Sequence, residues 1–457
     1  MPEPASVFNR GRIPVLLVIE GQEPLRESAA ASAERRRATI DIRATRMPTG
    51  AQIDPDFGAV PVGGAKQGRM SLEAVQPAAS EKFIIRAFAE PKDGKIPETL
   101  DGHAVFSQPR IEPILTCGNS APLGDFTNVA TALNCAVLKA NGLTGKNVAV
   151  AIADTGINLA HLRNKLSGMP AFDAANSWNG PGATTSPGQY PLNHGTMCAY
   201  DALIAAPAAT LVDVPILANP TSGGSTMAGT LAAAVSAYSH LLARWGVAFA
   251  AGDLAKYAGL VVSNSWGVFD PSWDFPPGHP GRYIDNAHHP FNLLVGVLAA
   301  SGVDLVFAAG NCGAECPDAR CAATTATITG ANAHSDVLTV AGCDTADQRV
   351  GYSSQGPSIA GMPAEKPDIT AYTHFLGSEA FGSNSPDSGT SAACPVAAGC
   401  IAALRTKVSH STTPPGALVA QIRLTARQVA PNPIGWNLDY GHGIIDPLTL
   451  AQSIGTV

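Results

Sequence analysis

Residues 148–156 read VAVAIADTG, and this stretch decides the fold. Its six apolar residues in a row are typical of a strand that is buried on both faces of a sheet. The strand ends at Asp154, and the carboxyl ends of parallel strands are where α/β proteins place their functional side chains. Thr155 and Gly156 then turn the chain away. The stretch therefore predicts a buried parallel strand that delivers a carboxylate to its carboxyl end.

Further apolar strands alternate with helices from about residue 125 onward. Short apolar strands separated by helices predict a parallel sheet that is covered on both faces. The predicted fold class is therefore α/β, with three layers. The predicted strands are Asn147–Ala153, Thr210–Ile216, Leu260–Asn264, Val303–Ala308 and Val337–Ala341. The predicted helices are Met227–Trp245, Pro290–Ala300 and Ala392–Lys407.

The part of the chain that precedes this pattern differs in composition, because it holds most of the local runs of charged residues. Alternating and apolar segments in it predict a small N-terminal α+β domain. Its predicted elements are strands at Ile13–Ile19, Ala38–Arg46 and Lys82–Ala89 and a helix at Pro24–Arg37.

Domain boundaries follow from the change in pattern. The stretch 91–124 has repeated Pro and Gly without a clear period, which predicts a linker or a processing region. We therefore expect an N-terminal unit at 1–115, with its linker at 91–124, and a larger domain at 125–457, which also holds the candidate catalytic residues.

Composition excludes several classes of protein. With 45% hydrophobic and 14% charged residues, the 457-residue chain has enough apolar surface for a large core, so global disorder is not expected. The net charge is −7 and no basic tract is longer than residues 35–37, so nucleic acid is not an expected partner. The longest apolar stretches fall far short of the ~20 residues that a membrane-spanning helix needs.

The first 22 residues and the cysteine count bear on the compartment. Arg10 and Arg12 precede an apolar run that stops at Ile19 without a small-residue cleavage site, which makes a poor signal peptide. As written, the sequence predicts a cytoplasmic protein, or a secreted one if a leader precedes it. Nine cysteines are an odd number, so at least one thiol is free or paired between chains.

Three further motifs carry side chains that suit catalysis. His194 lies in NHGT at a predicted helix start, Ser391 lies in GTSAACP at the start of an apolar helix, and Asn311 follows the apolar strand VFAAG. Taken singly, each residue has an ordinary structural explanation. Asp154 could cap a loop, and His194 could be a surface histidine or one whose ring is hydrogen-bonded in the core. Ser391 could cap a helix, and Asn311 could be a turn residue.

Together, these residues supply the parts of a nucleophilic site. A reactive serine needs a base, an acid that orients the base, and a donor aimed at the developing oxyanion. Ser391, His194, Asp154 and Asn311 supply one of each. The triad occurs in the order Asp, His, Ser, which is the subtilisin order and differs from that of chymotrypsin and of α/β-hydrolases.

The sequence resembles the subtilisin-like serine protease family over roughly residues 125–455. Besides the four elements above, SNSWG at 263–267, YSSQGP at 352–357, KPDI at 366–369 and YGHGIID at 440–446 fit the family pattern. The resemblance implies a subtilisin-like fold and a serine endopeptidase that acts on peptides or proteins through an acyl-enzyme. It also implies substrate-binding roles for Ser265, Trp266, Gly267, Ala308, Ala309 and Gly310.

The sequence predicts neither a metal nor another cofactor. Structural calcium is frequent in the resembling family, but no Asp/Asn run here has the EF-hand form. Cys312, Cys316 and Cys321 do not have a standard zinc spacing. A disulfide in this loop, behind the predicted oxyanion donor, is the preferred interpretation, and free thiols are the main alternative. No sequence feature indicates an oligomeric state.

Three other functions compete with this prediction. An aspartic protease would use Asp154 and Asp387 in their Asp-Thr-Gly and Asp-Ser-Gly contexts, but no apolar strand precedes Asp387. A transpeptidase or macrocyclase would use the same triad with a lid that shields the acyl-enzyme, for which 268–290 is the candidate segment. A non-catalytic binding protein with a protease fold would not need all four polar side chains.

The N-terminal unit has roughly the parts of the propeptide that guides folding and blocks the cleft in the resembling family. We therefore expect it to be inhibitory, with cleavage in the linker at 91–124. A permanent accessory domain is the alternative.

Overall fold

A parallel sheet of seven strands lies at the centre of the larger part of the chain, as the sequence predicts. The computed structural model describes residues 12–20, 48–54, 57, 59–61, 82–92, 94–113, 120–166, 170–180, 183–218, 229–246, 257–429 and 435–457. With strands numbered in chain order, the sheet runs β16 (Ile369–Tyr372), β15 (Leu338–Cys343), β14 (Asp304–Ala308), β12 (Gly259–Asn264), β8 (Val148–Ala153), β10 (Thr210–Val214) and β9 (Ala171–Phe172).

Strand β8 shows why the sheet is covered on both faces. Successive side chains of a strand point to opposite faces. Val148, Val150 and Ile152 belong to one apolar core, whereas Ala149 and its alternate neighbours belong to the other. All six residues are buried. The apolar run at 148–153 is therefore continuous because each face has its own layer of helices.

Nine α-helices accompany the sheet in the described ranges. The largest interface between two of them joins the helices that begin at His194 and Thr390. These helices approach closely at Gly399, where a Cβ would lie 2.2 Å from the carbonyl oxygen of Ala202. The helices are α1 (Phe126–Ala132), α2 (Cys135–Ala140), α3 (Leu159–Lys165), α4 (His194–Ala205), α5 (Leu231–Leu241), α6 (Pro290–Ala300), α7 (Thr390–Arg405), α8 (Pro415–Thr425) and α9 (Pro447–Ser453).

Two of the predicted helices differ from the observed ones at their ends. The helix expected at Met227–Trp245 begins only at Leu231, because Gly229–Thr230 form a short strand, β11. A π-helical turn at Leu242–Gly246 continues it. The helix expected at Ala392–Lys407 begins at Thr390, so that Ser391 lies in its first turn.

A second, antiparallel sheet is formed by the N-terminal part of the chain. Its longest strands, β1 and β4, confirm the strands predicted at Ile13–Ile19 and Lys82–Ala89. The helix predicted at Pro24–Arg37 and the strand predicted at Ala38–Arg46 lie outside the described residues. The strands of this sheet are β1 (Ile13–Glu20), β2 (Ala51–Ile53), β3 (Val60–Pro61), β4 (Lys82–Ala89), β5 (Thr99–Leu100) and β6 (His103–Ser107).

The stretch 91–124, predicted as an irregular linker, contains regular structure. Strands β5 and β6 lie in it, and β7 (Arg110–Pro113) follows. Strand β7 is the middle strand of a three-stranded antiparallel sheet, between β11 and β13 (Trp266–Gly267). The sequence did not indicate these strands because they are only two to five residues long and their pairing is decided by distant partners.

The N-terminal sheet packs against the segment 268–290. Phe275 of that segment is buried in the same apolar cluster as Val15 and Ile85. The backbone N–H of Ser107 donates to the carbonyl of Gly281 at 2.7 Å, and Nε2 of His289 lies 2.9 Å from the carbonyl oxygen of Ser107. No helix within the described ranges combines the length and the apolar character that crossing a bilayer requires.

Candidate active site

Asp154 and His194 meet at the carboxyl end of strand β8. The Nδ1 atom of His194 lies 2.8 Å from Oδ1 and 2.9 Å from Oδ2 of Asp154, and both side chains are buried. Because an ionised carboxylate only accepts hydrogen bonds, this contact assigns the imidazole proton to Nδ1. The other ring nitrogen, Nε2, is buried and has no hydrogen-bond partner among the described residues. Its lone pair can therefore accept a proton.

Local structure brings this pair together. The side chain of Asn193 caps helix α4 by accepting from the N–H of His194 at 2.9 Å. The backbone N–H of Thr155 donates to the Asp154 carboxylate at 2.7 Å. The Thr155 hydroxyl accepts from the backbone N–H of Gly195 at 2.8 Å. A Cβ on Gly195 would lie 2.6 Å from the carbonyl oxygen of Gly156, so glycine is needed for this approach.

Cys198 is a member of this site that the sequence motifs did not indicate. It lies one helical turn after His194, and its Sγ is 3.7 Å from Oδ2 of Asp154 and 3.8 Å from Nδ1 of His194. Burial raises the pKa of the Cys198 thiol well above its usual range, so the group is neutral and acts as a weak donor. The periodicity of a helix starting at His194 is the signal that could have found it.

The side chains of Asp154, His194 and Cys198 are also the one cluster among the described residues whose donor atoms could hold a metal ion. The 2.8 Å separation of the histidine nitrogen and the carboxylate oxygen is that of a hydrogen bond. Hydrogen bonding therefore accounts for the arrangement.

Ser391 lies in the first turn of helix α7, next to this pair. Its carbonyl oxygen accepts from the hydroxyl of Ser265 at 3.0 Å and from the thiol of Cys198 at 3.5 Å. The preceding loop turns at Gly389, whose φ of 79° lies in the left-handed region that favours glycine. The contact through Cys198 places the start of helix α7, with the predicted nucleophile Ser391, directly beside helix α4.

The carboxamide of Asn311 has a defined orientation. Its Oδ1 accepts from the backbone N–H of Thr390 at 2.9 Å and from the Thr390 hydroxyl at 3.1 Å. An N–H group can only donate, so the oxygen of the carboxamide faces Thr390 and its NH₂ group faces away. This orientation suits a donor to an oxyanion formed beside Ser391.

The predicted substrate-binding residues divide into two groups. Gly267, Ala309 and Gly310 line a small pocket, and Asn311 lines it as well. The other three, Ser265, Trp266 and Ala308, do not line the pocket but are hydrogen-bonded near it. The hydroxyl of Ser265 donates to the carbonyl of Ser391. The carbonyls of Trp266 and Ala308 each accept from Nδ2 of Asn332 at 2.8 Å. The lining residues that the sequence motifs did not indicate are Val268, Phe269, Cys312, Thr327, Thr329 and Asn332.

A disulfide closes the loop beside this pocket, as the sequence predicts. Cys312 and Cys321 are bonded, and Cys316 is also in a disulfide. Within the loop, Arg320 pairs with Asp318 and stacks over the Phe269 ring at 3.8 Å. Five described cysteines are free thiols, in agreement with the odd cysteine count.

Asp387, the second carboxyl that an aspartic protease would need, has other partners than Asp154. It accepts from both the N–H and the hydroxyl of Ser378, whereas Asp154 is bonded to His194. An aspartic protease needs two carboxyl groups that share a proton. Asp154 and Asp387 are bonded to different partners, so the geometry does not support that mechanism.

The chain is similar to known proteins over most of the region that holds this site. A family model described as the Subtilase family matches residues 145–443. Subtilisin DY from Bacillus licheniformis is 27% identical over 321 residues, which cover 69% of this chain and 94% of that protein. The matched family span contains Asp154, His194, Asn311 and Ser391.

Proposed function

The chain belongs to the subtilase family of serine peptidases, and on that premise we propose that it is an endopeptidase that cuts peptide bonds through an acyl-enzyme. One observation carries the proposal: a buried histidine donates Nδ1–H to a buried carboxylate beside the helix that begins with the predicted nucleophile. Its substrates are peptides or proteins.

In the proposed acylation step, Ser391 Oγ attacks the carbonyl carbon of the scissile bond and His194 Nε2 takes the hydroxyl proton. Asp154 keeps the ring in the tautomer that leaves Nε2 unprotonated and stabilises the imidazolium that forms. His194 then returns the proton to the leaving amine as the C–N bond breaks. Water attacks the acyl-enzyme in the second half, again with His194 as base.

The negative charge that develops on the substrate oxygen needs a donor fixed in advance. Asn311 would supply it from its NH₂ group, because Thr390 already holds the oxygen of the same carboxamide. The positive end of helix α7, which begins at Thr390, adds to the stabilisation.

The N-terminal unit, we further propose, is inhibitory. Strand β7 pairs with β13, whose residues Trp266 and Gly267 are predicted to bind substrate. Extended peptides often bind by adding a strand to an exposed sheet edge. In the proposed arrangement, β7 pairs with β11 and β13 in the place that an extended substrate would take. Ile111 in this strand is fully buried, which supports a tight fit.

The direct test of the proposed activity is the Ser391→Ala variant. It should lose peptidase activity and labelling by a serine-directed phosphonate, with a loss in kcat on the order of 10⁶, as for removal of the nucleophile in subtilisin itself. Ser388→Ala is the matched control, because this serine lies in the same loop three residues earlier. Normal turnover by a homogeneous Ser391→Ala preparation would contradict the assignment of Ser391 as the nucleophile.

A further inference from the structure

Two buried carboxyl groups link the helix of the proposed base to the loop of the proposed nucleophile. Asp201 lies on helix α4, two helical turns after His194, and is fully buried. Asp387 lies four residues before Ser391 and is 1% exposed. Their carboxyl groups are close enough for each to affect the pKa of the other. Neither residue belongs to the four catalytic groups.

The partners of Asp387 are well defined. Its carboxylate accepts the backbone N–H and the hydroxyl of Ser378. Its backbone pairs with Phe375 in both directions, at 2.8 Å and 3.2 Å. A Cβ on Gly377 would lie 2.2 Å from Oδ2 of Asp387, so the absence of a side chain there makes room for the carboxylate.

Asp201 has a different environment. No N–H or O–H group of the described residues donates to either of its carboxylate oxygens. Two ionised carboxylates can only accept, so a hydrogen bond between Asp201 and Asp387 requires a proton on one of them. Because Asp387 already accepts two hydrogen bonds from Ser378, the proton belongs on Asp201. Burial raises the pKa of Asp201 well above its usual range, with the charge of Asp387 as the next cause.

The charged and titratable groups around the pair favour a single negative charge. Burial raises the pKa of Asp387 to about 6, and the positive charge of Lys165 on α3, which is itself paired with Glu379 at 2.7 Å, opposes this rise. His161, also on α3, contacts the carbonyl oxygen of Ser378 at 2.8 Å. On α4 itself, burial raises the pKa values of Cys198 and Tyr200, so both stay neutral.

We propose that Asp201 and Asp387 share one proton, and that this buried hydrogen bond holds the loop before Ser391 against the helix that carries His194. Both are positioning residues, and their role rests on the proposed function, in which Ser391 and His194 react together. Loss of the proton at high pH places two negative charges in a buried site. The loop and the helix then separate, and kcat falls.

The pH profile of kcat tests the proposal, measured on a peptide anilide with the full chain. In Asp201→Asn, an amide N–H replaces the shared proton, so kcat at pH 7 stays within about threefold and the alkaline limb moves up by about one pH unit or more. In Asp201→Leu, which keeps the volume but removes the bond, kcat falls by about tenfold or more, while KM stays within about threefold.

Asp213→Asn is the matched control. Asp213 is another buried carboxyl, with a pKa that burial raises to about 7, but it accepts from the backbone N–H groups of Ile157 and Gly188. Its substitution should leave the alkaline limb in place. An unshifted limb in Asp201→Asn, or a limb that moves only in Asp213→Asn, would overturn the proposal. If Asp201→Leu does not fold, the two asparagine variants decide.

Unfolding separates this proposal from the proposed activity. Above about pH 4 the unfolded chain releases the proton of Asp201 and the folded protein keeps it, so stability falls as pH rises toward the folded pKa. In a Ser391→Ala background, Asp201→Asn should therefore weaken the fall of the melting temperature with pH. Equal pH dependence refutes the shared proton. An inactive wild type that still shows the difference refutes only the endopeptidase assignment.

Discussion

At the scale of single residues, Asn311 and Asn332 are two carboxamides that line one pocket but have different surroundings. Thr390, the residue before Ser391, holds Oδ1 of Asn311. Asn332 instead donates its Nδ2 to the carbonyls of Trp266 and Ala308, each at 2.8 Å. The first side chain is thus bonded to the start of helix α7, and the second to strands β13 and β14, whose carboxyl ends border the pocket.

These surroundings predict different kinetic effects. Asn311→Ala removes a donor that acts on the transition state, so kcat should fall by ~10²–10³ with KM nearly unchanged, a range that comes from subtilisin itself. Asn332→Ala removes the two bonds that fix the walls, so it should mainly raise KM. Steady-state kinetics of both variants on one peptide anilide measures the split. A loss confined to KM in Asn311→Ala would show that this residue is only a turn residue.

His289 is a buried histidine at the contact with the N-terminal sheet. Its Nε2 lies 2.9 Å from the carbonyl oxygen of Ser107, and its ring packs edge-on against Phe106 and Tyr283. Burial lowers the pKa of His289 to about 3. The folded protein therefore keeps this ring neutral at pH values where the unfolded chain protonates it.

Acid should consequently weaken the fold at this contact. Stability from neutral His289 is present above pH 6.5 and is lost as pH falls from 6.5 toward about 3. Gln at this position keeps a donor for the Ser107 carbonyl and does not titrate. In a Ser391→Ala background, the melting temperature should fall less between pH 7 and pH 4 in His289→Gln than with His289 present. Nearby Asp274 is the same in both proteins, so its titration cancels; equal falls would contradict the prediction.

At the scale of elements, the disulfide loop joins Asn311, the proposed oxyanion donor, to Phe269 of the pocket wall. The carbonyl of Asn311 accepts from the N–H of Asp318 at 2.9 Å, inside the loop that Cys312 and Cys321 close. Arg320 in the same loop stacks over Phe269 of the pocket. Under the proposed function, we therefore expect movement of this loop to affect both substrate binding and oxyanion stabilisation.

Removing the disulfide tests this coupling. The double variant Cys312→Ser/Cys321→Ser should lose about 2–3 kcal/mol of unfolding free energy, the value expected for a short closed loop. It should also have a lower kcat/KM, since Cys312 lines the pocket. Cys135→Ser is the control, because Cys135 is a free, half-buried thiol. Urea denaturation and kinetics measure both effects; an unchanged midpoint and kcat/KM would contradict the prediction.

Elements also show what the sequence could predict. Strand β8 and helix α6 have patterns that their own residues decide: the first is apolar throughout, and the second begins at Pro290, which suits the first turn of a helix. Strand β7 has four residues and exists through pairing with residues more than a hundred positions away. No local period marks such a strand.

The candidate site shows the same division. Asp154, His194 and Ser391 could be predicted because each lies at an element boundary within a family motif. The pairing of Asp201 with Asp387 could not, because the two residues are far apart in sequence and neither stands in such a motif. Only the packing of helix α4 against the loop before α7 brings their carboxyl groups together.

At the scale of the whole molecule, the N-terminal part of the chain contacts the larger part in several places, and two of these contacts bear on the proposed inhibition. In the first, Phe275 of the segment 268–290 packs into the apolar cluster of the N-terminal sheet, and strand β6 is hydrogen-bonded to the same segment. Strand β7 lies between β11 and β13, beside the predicted substrate-binding residues. If β7 occupies the substrate cleft, the bond to be cut follows it, and we expect cleavage between Pro113 and Gly124.

Masses of the purified wild type and the Ser391→Ala variant test this arrangement. Ser391→Ala should remain at 457 residues, and the wild type should be shorter, with its new N-terminus between Pro113 and Gly124. The separated N-terminal fragment should inhibit the shortened enzyme in trans. Ile111→Asp in that fragment puts a charge where Ile111 is fully buried, so it should weaken inhibition by about tenfold or more, since an unpaired charge cannot be buried without a large cost.

The matched control for the fragment is Ala104→Asp, because Ala104 is exposed on strand β6. Its inhibition constant should stay within about threefold of the unsubstituted fragment, since surface substitutions of this kind cost little. Equal weakening by both substitutions would show that the fragment does not act through β7. A wild type that stays at full length and is fully active would make the N-terminal unit a permanent accessory domain, with β7 as a fixed part of the structure instead of an inhibitor.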